Sequence, residues 1–307
     1  MRVLITGSTG MVGKNLLDHP DINKFEILAP SSKQVNLLDN DMVYDYITSN
    51  KPEIIVHAAG KVGGIQANIK NSTDYLADNL NMGINLVMAA KKANVKKFLN
   101  LGSSCMYPRN AQNPLTEDLV LKGELEPTNE GYAIAKSTVA KLCEYISRET
   151  PDFQYKTLIP CNLYGKWDKF DPSHSHMIPA VIRKIHEAKA NNISSIEIWG
   201  DGKARREFLY AGDLADCIIN TIQNFDSMPV YMNVGLGFDY TIDEYYKIIG
   251  KIVGYTGKFA HDLSKPVGMK QKLVDVSKVK KFGWQYKTNI EEGIKKTYEF
   301  YLEQNKL

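Results

Sequence analysis

Two short stretches carry side chains able to move protons. In "GYAIAK", Gly131 to Lys136, the residues Tyr132 and Lys136 stand four apart, which places both on one face of a helix. A phenol, with a pKa of about 10, is a poor acid or base at neutral pH, and a lysine one turn away supplies a cation that stabilises its phenolate. In "GSSCMYP", Gly102 to Pro108, the side chains of Ser103, Ser104 and Cys105 follow an apolar run. A hydroxyl or thiol there can be a nucleophile, a hydrogen-bond donor or a proton carrier. No histidine is spaced to activate Ser103, whereas a Tyr/Lys pair is present, so Ser103 reads as a donor to a carbonyl oxygen and Ser104 as structural.

A Y-x-x-x-K spacing often arises by chance, and a third stretch gives it weight. "TGSTGMVG" places Gly7, Gly10 and Gly13 between a β-branched run, "RVLIT", and a helical pattern that begins just after Gly13. Such a turn lets the backbone approach a pyrophosphate at a helix N-terminus. Three glycines alone could make a plain βα turn; directly after the first strand they point to a dinucleotide. The end of the second strand, "LAPSSKQVN", offers Ser31, Ser32 and Lys33 and no carboxylate. Hydroxyls and a cation suit a 2′-phosphate, whereas a free ribose 2′-OH calls for Asp or Glu, so NADPH is expected over NADH.

These residues need a scaffold, and the chain supplies one. The runs "FEILA", "EIIVHAA", "KFLNLGS" and "YKTLIP" read as strands, separated by longer segments with helical spacing. This alternation predicts an α/β fold, a Rossmann-type doubly wound parallel sheet. After Gly165 the pattern changes: a polar loop precedes a helix over 177–190 and a strand over 195–200. The chain then rejoins the sheet through "REFLY" and "VYMNVG", and ends with helices over 241–253 and 290–303. Residues 1–165 with about 203–236 are expected to form the NADP-binding domain, and 166–202 with 237–307 a smaller α/β substrate domain, with the ligand cleft between them.

Composition narrows the function classes. Over 307 residues, a hydrophobic fraction of 43% and a charged fraction of 24% are ordinary for a globular protein. The formal charge of +3, from 38 basic and 35 acidic residues, is too slight for a nucleic-acid surface. Cys105, Cys143, Cys161 and Cys217 form no C-x-x-C pair, so no metal site is expected and reduced thiols of the cytoplasm fit. No apolar run approaches the roughly 20 residues of a membrane span, and no leader is expected.

The glycine turn, Ser103, Tyr132 and Lys136 together resemble the extended short-chain dehydrogenase/reductase family. "AAGKVGGIQANI", "GSSCMYP", "EPTNEGYAIAK", "NLYG", "SHMIPA" and "WGDGKARREFLY" extend that resemblance to its members that convert a GDP-4-keto-6-deoxy-mannose by 3,5-epimerisation and NADPH-dependent 4-reduction, giving GDP-L-fucose or a close relative. The resemblance implies a Ser103, Tyr132 and Lys136 triad, with Cys105 as the base and His176 as the acid of epimerisation. It implies cofactor contacts from the turn (Gly7, Thr9, Gly10, Met11, Val12, Gly13), from Ser31, Ser32, Lys33 and Leu37, and from Ala58 and Ala59 beside Tyr132 and Lys136.

For the GDP-linked 4-keto sugar it implies Val62, Gly63, Gly64 and Asn162 at the sugar, and Lys184, Trp199 and Arg206 around the nucleotide. Trp199 could equally be core of the cap, and Cys161 is a rival thiol; Cys143 and Cys217 read as core, His174 as a loop residue. Two positions depart from the pattern: Lys184 stands where Arg is common, and Val267 of "KPVG" where an Asp is common. They keep open another GDP-4-keto sugar, a 6-deoxyheptose or a 3,6-dideoxyhexose, or reduction without epimerisation. A catalytically dead sensor would have lost Tyr132 or Lys136, and a dehydratase or 4-epimerase would replace the thiol. Family members often dimerise through helices that include the Tyr/Lys one, so a homodimer is expected.

Overall fold

The computed structural model describes residues 1–171, 175–265 and 269–305. The β-branched runs become the parallel strands β1 (Arg2–Thr6), β2 (Glu26–Leu28), β3 (Ile54–His57), β4 (Lys97–Leu101) and β5 (Gln154–Pro160). A later strand, Tyr231–Val234, joins beside β5, so the sheet order is Tyr231–Val234, β5, β4, β3, β1, β2. The crossover helices are α1 (Met11–Leu17), α2 (Asn40–Asn50), α3 (Ile65–Lys70), α4 (Ser72–Lys92) and α5 (Glu130–Glu149). The chain runs from β1 outward to β2 and then crosses to β3 on the other side of β1, so the order reverses between β1 and β3, and this is a Rossmann-type doubly wound sheet.

Both faces of the sheet are covered, as strands buried on two sides require. Val3, Ile5, Val56 and Leu99 face one apolar cluster, shared with Leu214 and Ile218. Leu4, Ile55 and Phe98 face the other, shared with Val43, Leu86 and Val139. The alternation along β1 thus sorts neighbours to opposite sides.

The second half builds smaller sheets. β6 (Asn162–Tyr164) pairs in parallel with β9 (Phe208–Tyr210), while α6 (Met177–Ala190) and β7 (Ser195–Trp199) precede β8 (Arg205–Arg206). After α7 (Ala211–Gln223) and the last strand of the main sheet, β10, come β11 (Tyr240–Thr241), α8 (Ile242–Val253), β12 (Lys258–Asp262) and β13 (Gln271–Lys272). β12 pairs with β7, and β8 lies between β11 and β13. α9 (Ser277–Lys281) and α10 (Ile290–Asn305) end the described chain. A third apolar cluster joins Ile178, Ile182, Ile196, Tyr245, Ile249 and Ile294 from these elements.

Two expectations are corrected. "REFLY" does not rejoin the main sheet; its strand β9 pairs with β6, and only Tyr231–Val234 returns. The first helix begins at Met11, ahead of Gly13, because Gly13 lies in its first turn against the Gly7 carbonyl.

α4 and α5 pack side by side, and α5 carries Tyr132 and Lys136. Their closeness depends on Gly83, where a Cβ would stand 2.3 Å from Val139 Cγ2. Gly83→Ala sets a helix-propensity gain of about 1 kcal/mol against an overpacking cost of about 1–3 kcal/mol. Urea unfolding is expected to show a net loss that Val139→Ala, made in the same chain, largely reverses; equal effects of Gly83→Ala in the two backgrounds would disprove this contact.

Candidate active site

Thr6 ends β1, and the chain turns over Gly7 (φ +72°) into α1. A Cβ on Gly7 would lie 2.6 Å from Ala59 N, and one on Gly13 2.2 Å from Gly7 O. These two glycines serve the chain's own packing, against Ala59 at the end of β3 and against the turn itself. Gly10 differs: its Cβ would meet only Gly7 O at 3.4 Å, and no side chain caps the helix there. The open backbone at Gly10, with exposed Thr9 before it and partly buried Met11 and Val12 after it, fits a pyrophosphate.

The Ser8 hydroxyl donates to the carbonyls of Ala29 (3.2 Å) and Pro30 (3.1 Å), fastening the end of the second strand to the glycine turn. Ser31 closes the next turn on Gln34, which leaves Ser32 and Lys33 exposed beside the glycine turn. Hydroxyls and an ammonium at this edge fit the 2′-phosphate of an adenosine ribose. Leu37 behaves otherwise: its side chain is buried in the core and its carbonyl accepts from Asn85 at 3.0 Å. Ala58 and Ala59 are partly buried beneath the turn. Beside them His57 is buried, its Nδ1 2.9 Å from Thr6 Oγ1, and burial with the nearby Lys136 charge pulls its pKa down to about 3, so it is neutral.

At the end of β4 the chain enters a short turn, Ser104–Met106, and α5 crosses it. Lys136, buried, donates to the Leu101 carbonyl at 2.9 Å; its ammonium lies 5.8 Å from the Tyr132 ring centroid. Burial depresses its pKa to about 8. Ser103 sits beside both reactive groups: its side chain bears on the Tyr132 phenol, and the Cys105 backbone N–H donates to its Oγ at 3.4 Å. The Tyr132 phenol is pushed up, first by burial and then by Cys105, with Ser103 opposing. The Lys136 ammonium, which the sequence placed one turn from the phenol, thus stands beside its ring, and the neutral phenol is a proton donor. Ser104 is buried and structural.

Cys105, Leu125 and Ala133 form a small buried cluster against Tyr132. Burial raises the Cys105 thiol, while Lys272, the Ser103 hydrogen bond and Lys136 pull it down. His176 begins α6 without capping it, and burial, Lys272 and Lys169 keep its pKa below the ordinary value. Lys272 therefore bears on both Cys105 and His176. Nothing in "MKQKL" marked it; its place follows from the β13 register, where Lys272 pairs with Arg206 of β8. Two buried carboxylates hold that strand: Asp239 accepts from Arg205 Nε (2.7 Å) and Gln271 Nε2 (2.6 Å). Glu207 accepts from the backbones of Leu236, Gly237 and Val274.

The remaining expected residues are spread over several elements. Val62 is exposed, Gly63 packs on Tyr75, and Gly64 lies against the Ser175 carbonyl, which brings the 62–64 turn beside His176. Asn162 donates to the Glu207 carbonyl (2.9 Å), Lys184 to that of Glu197 (2.5 Å), and Arg206 Nη1 to that of Arg205 (2.7 Å). Trp199 is 50% exposed at the end of β7, which excludes a core role; the Lys265 ammonium lies 5.8 Å from its ring centroid. Cys161 is buried, its thiol donating to the Asn162 carbonyl at 3.4 Å and pushed up by burial and Glu207. Cys143 and Cys217 are core. His174 and Val267 lie outside the described residues. Among the described residues no cluster of metal ligands forms, and no helix is long and apolar enough to cross a membrane.

The sequence model of the NAD dependent epimerase/dehydratase family matches residues 3–235. A GDP-L-colitose synthase of Yersinia pseudotuberculosis is 59% identical over 302 residues, 98% of this chain and 98% of that protein. A GDP-L-fucose synthase of Azorhizobium caulinodans is 46% identical over 306 residues, 100% of this chain and 98% of that one. Among solved structures, a GDP-6-OMe-4-keto-L-xylo-heptose reductase from C. jejuni superposes with a TM-score of 0.92 at 31% identity, covering 99% of this chain and 98% of its own. MlghC, a GDP-mannoheptose C4 reductase from Campylobacter jejuni with NADP bound, gives 0.87 at 32% identity, covering 98% of each chain.

Lys136 generates a stability prediction. Its pKa of about 8 in the folded chain, against a reference of 10.5, means that the folded state binds fewer protons than the unfolded one between those values. Stability from this group therefore rises as pH climbs from about 8 towards 10.5. Lys136→Met removes that rise and adds a pH-independent loss from the unpaired Leu101 carbonyl. Urea unfolding of both proteins at pH 8 and pH 10 checks it, and a wild-type minus variant difference that stays constant with pH would refute it.

Proposed function

The chain belongs to the NAD dependent epimerase/dehydratase family, and on that premise we propose that it is an NADP-dependent oxidoreductase with epimerase activity, acting on a GDP-linked 4-keto-6-deoxy hexose. The observation that carries this reading is a buried thiol inside the Ser103, Tyr132 and Lys136 cluster, with His176 bearing on the same lysine, Lys272. A simple ketone reductase needs the hydroxyls alone. The thiol and imidazole supply the two proton carriers that inversion at carbon requires.

A 4-keto group acidifies the hydrogens on C3 and C5, so the same carbonyl serves epimerisation and then reduction. Cys105, as thiolate, takes the proton from carbon, and His176 returns one to the opposite face. Ser103 and Tyr132 hydrogen-bond O4 as charge develops on it, and the neutral phenol of Tyr132 delivers the final proton to O4. Bound NADPH supplies the hydride to C4. Lys136, anchored on Leu101, orients Tyr132 and faces the nicotinamide ribose; the Gly10 backbone, Ser32 and Lys33 hold the phosphates. Residues 1–165 with about 203–236 form the cofactor-binding part in this reading, and 166–202 with 237–307 the substrate part. Trp199 and Arg206 face the GDP, and Lys184 acts from α6 beside them.

The 59% identity with a GDP-L-colitose synthase favours a second substrate, a GDP-4-keto-3,6-dideoxyhexose. Without a stereocentre at C3, only C5 is inverted. A homodimer fits the outward apolar side chains of α4 and α5, among them Met88 and Tyr145, and four free thiols fit the cytoplasm.

Cys105→Ser is expected to suppress deuterium exchange from D₂O at C3 and C5 of GDP-4-keto-6-deoxy-mannose at least tenfold, about 1.4 kcal/mol of barrier, while an already epimerised ketone is still reduced. NMR location of the label decides it, and retained exchange would refute the assignment of the base. The cofactor is tested by kinetics: kcat/KM should favour NADPH, and comparable values with NADH would refute the role of Ser32 and Lys33.

A further inference from the structure

The turn that follows β10, Gly235 to Gly237, is built around a side chain from elsewhere. Glu207, between β8 and β9, is fully buried and sends its carboxylate into this turn. Oε1 accepts from Leu236 N (2.6 Å) and Gly237 N (2.8 Å), and Oε2 accepts from Val274 N (3.0 Å). Gly235 makes the room: a Cβ there would stand 2.4 Å from Glu207 Oε1 and 2.8 Å from Val274 Cγ2. One carboxylate thus joins the end of the main sheet, the connection from β8 to β9, and the chain just after β13.

That last segment is gripped from two sides. Leu115 N donates to the Leu273 carbonyl (2.8 Å) and the Leu115 carbonyl accepts from Asp275 N (2.9 Å), while the Val274 N–H between them turns to Glu207. β13 has only Gln271 and Lys272, in register with Arg205 and Arg206 of β8. So short a pair specifies its register weakly, and the Val274 bond adds a fastening just beyond it. The Glu207 backbone is engaged as well: its carbonyl accepts from Asn162 Nδ2 at 2.9 Å, and Arg206 directly precedes it. Among the described residues no cation pairs with this carboxylate, and burial raises its pKa to about 7. A buried ion without a countercharge is costly, but only a carboxylate offers two oxygens able to take all these N–H groups.

We propose that Glu207 is a positioning residue for the nucleotide-sugar: its carboxylate locks β13 to the turn after β10, so that Arg206, in register with β13, is held towards the GDP. The proposal rests on the reading of this chain as an enzyme of a GDP-linked sugar. Cofactor binding does not pass through the joint. The glycine turn and Lys33 follow β1 and β2, at the far side of the sheet from β10.

The test measures GDP and NADP⁺ affinity by calorimetry at pH 8, where Glu207 is ionised, for wild type and Glu207→Gln. The glutamine oxygen can keep Leu236 and Gly237, but its NH₂ meets the Val274 N–H, so a single bond of the joint is broken. GDP binding is expected to weaken roughly tenfold while NADP⁺ affinity stays as in wild type. Gly235→Ala, which displaces the carboxylate and keeps its charge, should do the same, and the two changes together should do no more than either alone. By linkage, GDP should slow exchange of the Val274 amide in wild type, read by NMR. In Glu207→Gln that amide should exchange faster, with Leu236 and Gly237 still protected. Absence of GDP binding by wild type would defeat the GDP-sugar reading itself. Given that binding, unchanged GDP affinity in the variants, equal losses for GDP and NADP⁺, or a Val274 amide that GDP does not slow would each overturn the proposal. If neither variant folds, the wild-type exchange decides.

Discussion

The site depends on one bond, from the buried Lys136 ammonium to the carbonyl that ends β4. That carbonyl belongs to Leu101, two residues before Ser103 and four before Cys105, so the bond fixes α5 against the turn that carries both. An ammonium can be buried there only because a carbonyl takes one of its protons, and its pKa still falls. Tyr132 is then held one turn away, within reach of Ser103. The close approach of α4 at Gly83 presses α5 into this position from the other side.

The second constraint is electrostatic. The smaller sheets bring Arg206 and Lys272 to the cleft as neighbours, and two like charges in a partly desolvated place repel. Buried carboxylates do not neutralise them directly. Asp239 and Glu207 are consumed in fastening strands: Glu207 accepts three backbone N–H groups, yet burial still raises its pKa to about 7. Burial raises the Cys105 thiol and Lys272 opposes that rise, while burial first and Lys272 second keep His176 deprotonated more readily than a free imidazole. Burial of a thiol and presence of a cation act in opposite directions on one group, which is how a weak acid is brought towards use as a base.

The alternation of β-branched runs with helical spacing determined the doubly wound sheet, because parallel strands buried on both faces must be apolar on both faces. The spacing of Tyr132 and Lys136 determined that they share a helix face, and the glycine turn after β1 marked the loop proposed to hold a dinucleotide. All of these are short-range properties: a periodicity or a turn that neighbouring residues specify by themselves. The burial of Leu37 in the core was not legible in the same way, because packing, and not local pattern, decides which way a side chain after a turn points.

Tertiary structure alone decided the rest. Lys272 sits in a two-residue strand whose register against β8 is set by Asp239 and Glu207, each more than thirty residues away along the chain. Likewise the sequence could not show that "REFLY" pairs with β6 instead of the main sheet, that Trp199 is exposed, or that Lys136 is anchored on the Leu101 carbonyl. Desolvation and Coulomb effects depend on distances through space, and a sequence specifies those only after the chain has folded.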